Sequence, residues 1–140
     1  MRRLELAKQA ADLHTSQLTQ MVVHEVIKDG FLERHIPSIR SLYGNQCQAM
    51  LSALEEHFPA GVTWTKPEGG MFIWVTLPKH IDAMKLLDEA IANKVAFVPG
   101  APFYANTPDT HTLRLSFVTV PPERIREGIA ILGKLIAAKV

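Results

Sequence analysis

Seven apolar residues, Ile36, Ile39, Tyr43, Cys47, Met50, Leu54 and Phe58, recur at spacings of 3, 4, 4, 3, 4 and 4. A period near 3.6 places all seven on one face of an α-helix, and no strand could do so. Leu42 and Leu51 widen the stripe. The spacing predicts one long helix from about Ser38 to His57, with a less regular turn before it. Pro37 should kink that helix or define its first turn. Gly44 weakens it by about 1 kcal/mol relative to alanine.

The rest of the chain supplies what such a stripe packs against. Leu6, Ala10 and Leu13 suggest a helix over residues 2–13. Thr15 or Ser16 can cap a second helix carrying Leu18, Met21, Val22, Val26 and Ile27, and Asp29-Gly30 can end it. After Pro59-Ala60-Gly61 the character changes. Val62 to Lys66 alternates and reads as a strand. Pro67-Glu68-Gly69-Gly70 is a turn, and Met71 to Leu77 is a strand apolar on both faces, hence central. Asp82 can cap a helix through Asn93, with Met84, Leu87, Ala90 and Ile91 expected inward. Val95 to Val98 reads as a short buried strand, and residues 101–111 as a loop. From Thr112 to Val118 the alternation is clean: Leu113, Leu115 and Phe117 on one face, Arg114 and Ser116 on the other. Pro121-Pro122 opens a last helix, with Ile125, Ile129, Leu132 and Ile136 facing the core. The expected class is α+β: a small, mainly antiparallel sheet packed on helices, with a long helix leading in.

Composition narrows the function. With 47 % hydrophobic and 21 % charged residues among 140, the chain can bury a core and is not a disordered tail. Fifteen basic residues against fourteen acidic leave a net charge of +1, too weak a field to drive binding to nucleic acid or an anionic membrane. A single cysteine, Cys47, excludes an internal disulfide framework and a cysteine-rich zinc site. It falls on the long helical stripe and reads as a small buried hydrophobe. The apolar runs are too short for a membrane span. The start, Met1-Arg2-Arg3-Leu4-Glu5, lacks the apolar core of a secretory leader, so the cytoplasm is the expected compartment. His14, His24, His35, His57, His80 and His111 form no metal-ligand spacing, and no metal is expected.

Arg114 is the residue with chemistry to offer. On the solvated face of a strand it could be a plain surface charge. Alternatively, the Gly- and Pro-rich segments 67–70 and 99–111 could fold over a ligand. A guanidinium fork is the natural clamp for a carboxylate, since it makes two parallel hydrogen bonds.

The run Pro67-Glu68-Gly69-Gly70-Met71-Phe72-Ile73-Trp74-Val75, then Val95-Ala96-Phe97-Val98-Pro99-Gly100, Phe103-Tyr104 and Leu113-Arg114-Leu115-Ser116-Phe117, resembles the C-terminal part of fold-type-I pyridoxal-phosphate aminotransferases. It is most similar to the branch holding 2-aminoadipate and kynurenine aminotransferases and the aminotransferase-like domains of MocR-type regulators. The resemblance implies that residues 31–140 are the small domain, and that residues 1–30 belong to or border a large domain that the chain lacks. It implies substrate-binding roles for Arg114, on the substrate α-carboxylate, and for Gly70, at the edge of the cleft. It places Thr15–Gln17 near a dimer interface and the neighbouring active site, so a homodimer is expected. Two positions depart from the family pattern: Pro121 replaces a side-chain cap, and Lys94 stands where a glycine is frequent.

The resemblance further implies amino-group transfer between an amino acid and a 2-oxo acid, with pyridoxal phosphate held mainly by the large domain. The Schiff-base lysine is not recognisable. Lys8, Lys28, Lys66, Lys79, Lys85, Lys94, Lys134 and Lys139 lack the Ser-x-x-Lys-like context. No catalytic or cofactor-binding residue is therefore assigned within this chain, which reads as a fragment, inactive alone. Two other readings stay open: the ligand-sensing domain of a MocR-type regulator, and a non-catalytic α+β interaction domain.

Overall fold

The computed structural model describes residues 2–140. They form five helices and four strands in the order α1 (Arg2–Asp12), α2 (Gln17–Ile27), α3 (Phe31–His57), β1 (Thr63–Trp64), β2 (Phe72–Thr76), α4 (Ala83–Ala92), β3 (Val98–Pro99), β4 (Thr112–Ser116) and α5 (Pro122–Ala137). Two compact units divide the chain inside α3, one ending at Arg40 and the other running Ser41–Val140. Among the described residues no helix is long and apolar enough to cross a membrane.

The first unit is helical. Ser16 caps α2, its hydroxyl accepting the Thr19 N–H at 3.4 Å. Gly30, at φ +70°, takes the left-handed turn between α2 and α3. Neither α1 nor α2 contains a buried residue. Leu6, Leu13, Leu18 and Val22 are all exposed.

The long helix begins at Phe31, not at about Ser38, so Pro37 lies within it. Pro37 carries no N–H and leaves the Glu33 carbonyl without its usual partner. Local contacts on either side hold the turn. Phe31 and His35 stack with ring centroids 5.2 Å apart, and the Ser38 hydroxyl donates to the His35 carbonyl at 2.7 Å.

In the second unit the strands form one antiparallel sheet of order β1-β2-β4-β3. The two long strands lie in the middle, and the edges are strands of two residues each. The β2–β4 register pairs Phe72 with Ser116, Ile73 with Leu115, Trp74 with Arg114, Val75 with Leu113 and Thr76 with Thr112. Because side chains alternate, Ile73, Val75, Leu113 and Leu115 share one face. They join Met50, Ala53 and Leu54 of α3, Leu86 and Ala90 of α4, and Ile125, Ile129, Leu132 and Ile136 of α5 in one buried core. Helices thus cover this face. The opposite face carries Phe72, Trp74, Arg114 and Ser116 and stays half-open, so β2 is central but buried on one side only.

Three local expectations are corrected. Asp82 does cap α4, accepting from the Met84 and Lys85 N–H groups, and Ala90 is buried and Leu87 packs on the core as expected, but the other buried positions are Ala83 and Leu86. Met84 and Ile91 are 52 % and 54 % exposed. Ala83, Leu86 and Ala90, at spacings of 3 and 4, define the inward face, and Met84 and Ile91 fall at its exposed edge. The strand expected at Val95–Val98 is Val98–Pro99, because Lys94 and Val95 are used to end α4. Lys94 N–H donates to Ile91 O at 3.0 Å and Val95 N–H to Ala90 O at 2.9 Å. That pair of bonds is a Schellman closure, which requires a left-handed residue, and Lys94 adopts φ +64°. Finally, the 101–111 segment contains one short 3-10 turn, Ala101–Phe103.

Pro121 precedes α5 without a side-chain cap, as its sequence foretells. At the far end of that helix Gly133 is obligatory. A Cβ there would lie 2.4 Å from the His57 carbonyl oxygen at the end of α3.

Candidate carboxylate site

Arg114 stands in the middle of β4, between Trp74 of β2 and Val98 of β3 in the register. Its neighbours Leu113 and Leu115 point into the core, so its own side chain projects from the half-open face. Two aromatic rings meet it there. The guanidinium carbon lies 4.0 Å from the centroid of Phe72 and 4.9 Å from that of Phe103. Trp74 backs the second ring, edge-on at 5.6 Å and 78°, and also adjoins Tyr104 at 6.4 Å.

One ring, Phe103, comes from the 99–111 segment named above as a possible ligand loop, and the other, Phe72, from the first residue of β2, just past the 67–70 turn. Phe72 follows the Gly69-Gly70 turn, where Gly70 has φ +85° and open space around it. Gly70 therefore serves through its backbone, turning the chain into β2. Phe103 lies on the 3-10 turn after Gly100. Gly100 N–H donates to Thr112 O at 2.7 Å, and Phe103 N–H to Gly100 O at 2.9 Å. A Cβ at Gly100 would fall 2.0 Å from the Thr112 hydroxyl oxygen and 2.9 Å from Trp74 Cζ2. The turn is pressed directly onto the sheet.

Among the described residues no side-chain or backbone group accepts a hydrogen bond from the Arg114 guanidinium, and no carboxylate lies within ion-pairing distance of it. A half-buried guanidinium whose N–H groups have no protein acceptor is chemically suited to an anion. Sequence reading singled out Arg114 and Gly70 but not the ring cluster. Its signal was the period-2 placement of Phe72 and Trp74 opposite Ile73 and Val75, which needed the strand register to reach Arg114.

Nothing else in the described residues competes. An open pocket of about 470 Å³ lies between Asn93–Ala96 and the first turns of α5, but Arg114 does not line it. Of its charged side chains, Arg124 and Glu127 are paired with each other and Lys94 is exposed. Among the described residues no cluster of three or more His, Cys, Asp or Glu side chains able to hold a metal occurs. Seven of the eight lysines are exposed, and the half-buried Lys139 is ion-paired to Glu89 at 2.7 Å. None has the desolvated setting of a Schiff-base lysine. The described residues of this chain do not fit a pyridoxal phosphate cradle.

The family model described as aminotransferase class I and II matches residues 3–132. The chain belongs to this family. Among aminotransferases it is 48 % identical over 136 residues to aromatic-amino-acid aminotransferase 1 of Thermococcus litoralis, covering 97 % of this chain and 33 % of that protein. It is equally similar, at 48 % over 136 residues, to 2-aminoadipate transaminase of Thermus thermophilus, covering 97 % of this chain and 34 % of that one. Among solved aminotransferase structures, kynurenine aminotransferase of Pyrococcus horikoshii, in complex with PMP and with KYN and KYA, superposes with a TM-score of 0.87 at 50 % identity. That match covers 99 % of this chain and 34 % of the other. The chain spans about a third of the length of these aminotransferases.

Proposed function

We propose that this chain is the part of a pyridoxal-phosphate-dependent aminotransferase that holds the substrate by its α-carboxylate, with Arg114 as the clamp. The reaction of the whole protein is amino-group transfer between an amino acid and a 2-oxo acid. The observation that carries the reading is Arg114 itself: half-buried, over two rings, with no protein acceptor for its N–H groups. A guanidinium edge receiving a carboxylate fixes one end of the substrate and so orients the bonds at Cα. Gly70 supports the site by letting the chain enter β2 without a side chain at the cleft edge. Identity near one half to two proteins named as transaminases favours the enzyme over the regulator.

Bound pyridoxal phosphate supplies the electron sink for such chemistry. It is assigned to parts of the protein outside these residues, and no step through it falls to this chain. Residues 2–30 are assigned to the border with those parts, supported by the absence of any buried residue in α1 and α2. A homodimer is the assembly we favour, since a two-fold pair is the commonest way to cover such faces.

The test is to place this segment in a full-length relative and replace Arg114 by alanine. Losing one partner of a buried charge-assisted pair costs about 2–5 kcal/mol, so kcat/KM should fall by about 30-fold to several thousandfold. The melting temperature should hold. Unchanged turnover would reduce Arg114 to a surface charge.

A further inference from the structure

We propose that Phe72 and Phe103 are positioning residues: together they hold the Arg114 guanidinium in place before any carboxylate arrives. This rests on the carboxylate reading above and adds to it how the clamp is kept ready.

A long arginine side chain on an open sheet face is ordinarily disordered, and ordering it opposes binding. Proteins usually order such a group with a carboxylate, but a carboxylate would also consume the N–H edges that a ligand needs. Here the partners are rings at 4.0 and 4.9 Å. A cation over an aromatic face is attracted by the ring's quadrupole and spends no hydrogen bond in the process. Arg114 is thus fixed while its donors stay available.

The rings are themselves held. Phe72 is set by the β2–β4 register, diagonal to Arg114. Phe103 is set by three things: the 3-10 turn, the edge-on contact with Trp74, and the close seating of Gly100 on Thr112 and Trp74. Side chains from β2 and from the 3-10 turn therefore converge on one guanidinium. Neither ring is fully buried, at 38 % and 51 % exposure, so packing the core does not explain them.

The test uses the 140-residue chain and the small 2-oxo acid 2-oxobutyrate as probe. Two quantities are read by NMR: the ring-current displacement of the Arg114 side-chain signals, and the probe's dissociation constant. In Phe103→Leu and in Phe72→Leu the displacement should shrink and the probe should bind about 3- to 10-fold more weakly. Phe103→Tyr, which keeps the aromatic face, should restore both. In an Arg114→Lys background, Phe103→Leu should change binding by less than about twofold, because the fork that the rings orient is gone. The proposal is overturned if Phe103→Leu and Phe72→Leu bind the probe as the parent does while Arg114→Ala does not. In that case the carboxylate reading survives alone. If Arg114→Ala also leaves probe binding unchanged, both readings fall together.

Discussion

Arg114 and Phe72 sit diagonally across the two central strands, with the guanidinium carbon 4.0 Å from the ring centroid and no carboxylate within ion-pairing reach of that cation among the described residues. The charge is thus held without being neutralised. Arg114→Lys in a full-length relative carrying this segment should recover only part of the activity lost in Arg114→Ala, because a point charge cannot reproduce two parallel hydrogen bonds. Steady-state kinetics on one amino acid, run beside thermal melts of each variant, decides this. Equal activity of the lysine variant and the parent would show that charge alone suffices.

Lys94 closes α4 in a conformation that costs a side-chain-bearing residue about 1–2 kcal/mol, and glycine returns part of that gain through its freer unfolded chain. Lys94→Gly should therefore stabilise the protein by about 0.5–1 kcal/mol. A rise in the urea midpoint at constant slope is the expected result. Lys94→Ala, which keeps the strain, should show no such rise.

Gly133 has the opposite character. Its missing Cβ would sit 2.4 Å from a backbone oxygen, and backbone cannot rotate away as a side chain can. Gly133→Ala should cost about 1–3 kcal/mol by forcing α5 off the end of α3. Gly128 is the control, because a Cβ there would come no nearer than 4.0 Å to its closest neighbour, Val95 Cγ2. Gly128→Ala should be neutral or stabilising.

Burial pushes the Cys47 thiol up from its ordinary value of 9.0. The folded thiol keeps its proton after the unfolded one has lost it. Stability contributed by this group is complete below the unfolded value and declines as pH rises through it towards the folded one. Melts from pH 8 to beyond about 9.5 should fall more steeply in the parent than in Cys47→Ala, although the variant starts lower because of the space it leaves. Parallel slopes would deny the linkage.

Leu18 is 73 % exposed and Val22 57 %, one helical turn apart on α2. The isolated chain should associate through such faces, giving a concentration-dependent mass in light scattering. Leu18→Glu with Val22→Glu should shift it to monomer without changing the melting of residues 41–140. A monomer at all concentrations, with slow amide exchange throughout 2–30, would contradict this.

What the sequence made legible follows the physics of each signal. The alternation at Leu113, Leu115 and Phe117 is a period-2 pattern with one face against helices, so β4 and the direction of Arg114 could be read directly. Ser16 and Asp82 were readable as caps because a short acceptor side chain does one local job. The start of α3 was not, since Pro37 and the polar run Glu33-Arg34-His35 mask a turn that stacking and the Ser38 hydroxyl restore. On α4 Ala90 and Leu87 were read correctly as inward, but Met84 and Ile91 were not, because the inward face is centred on Ala83, Leu86 and Ala90 and leaves both at its exposed edge. The rings around Arg114 were invisible as a set. Residues 72, 103 and 114 meet only through strand register and a turn, neither of which leaves a local pattern.

Both margins of the sheet are two residues long, and one of them, Val98–Pro99, ends on a residue that has no amide proton to offer. A bare sheet margin invites another chain to extend the ladder, and the longer and flatter it is, the stronger the invitation. Margins this short, one of them broken by proline, offer almost no template for growth into fibres. At both margins the backbone gives a second chain little to pair with, and strand addition is disfavoured there.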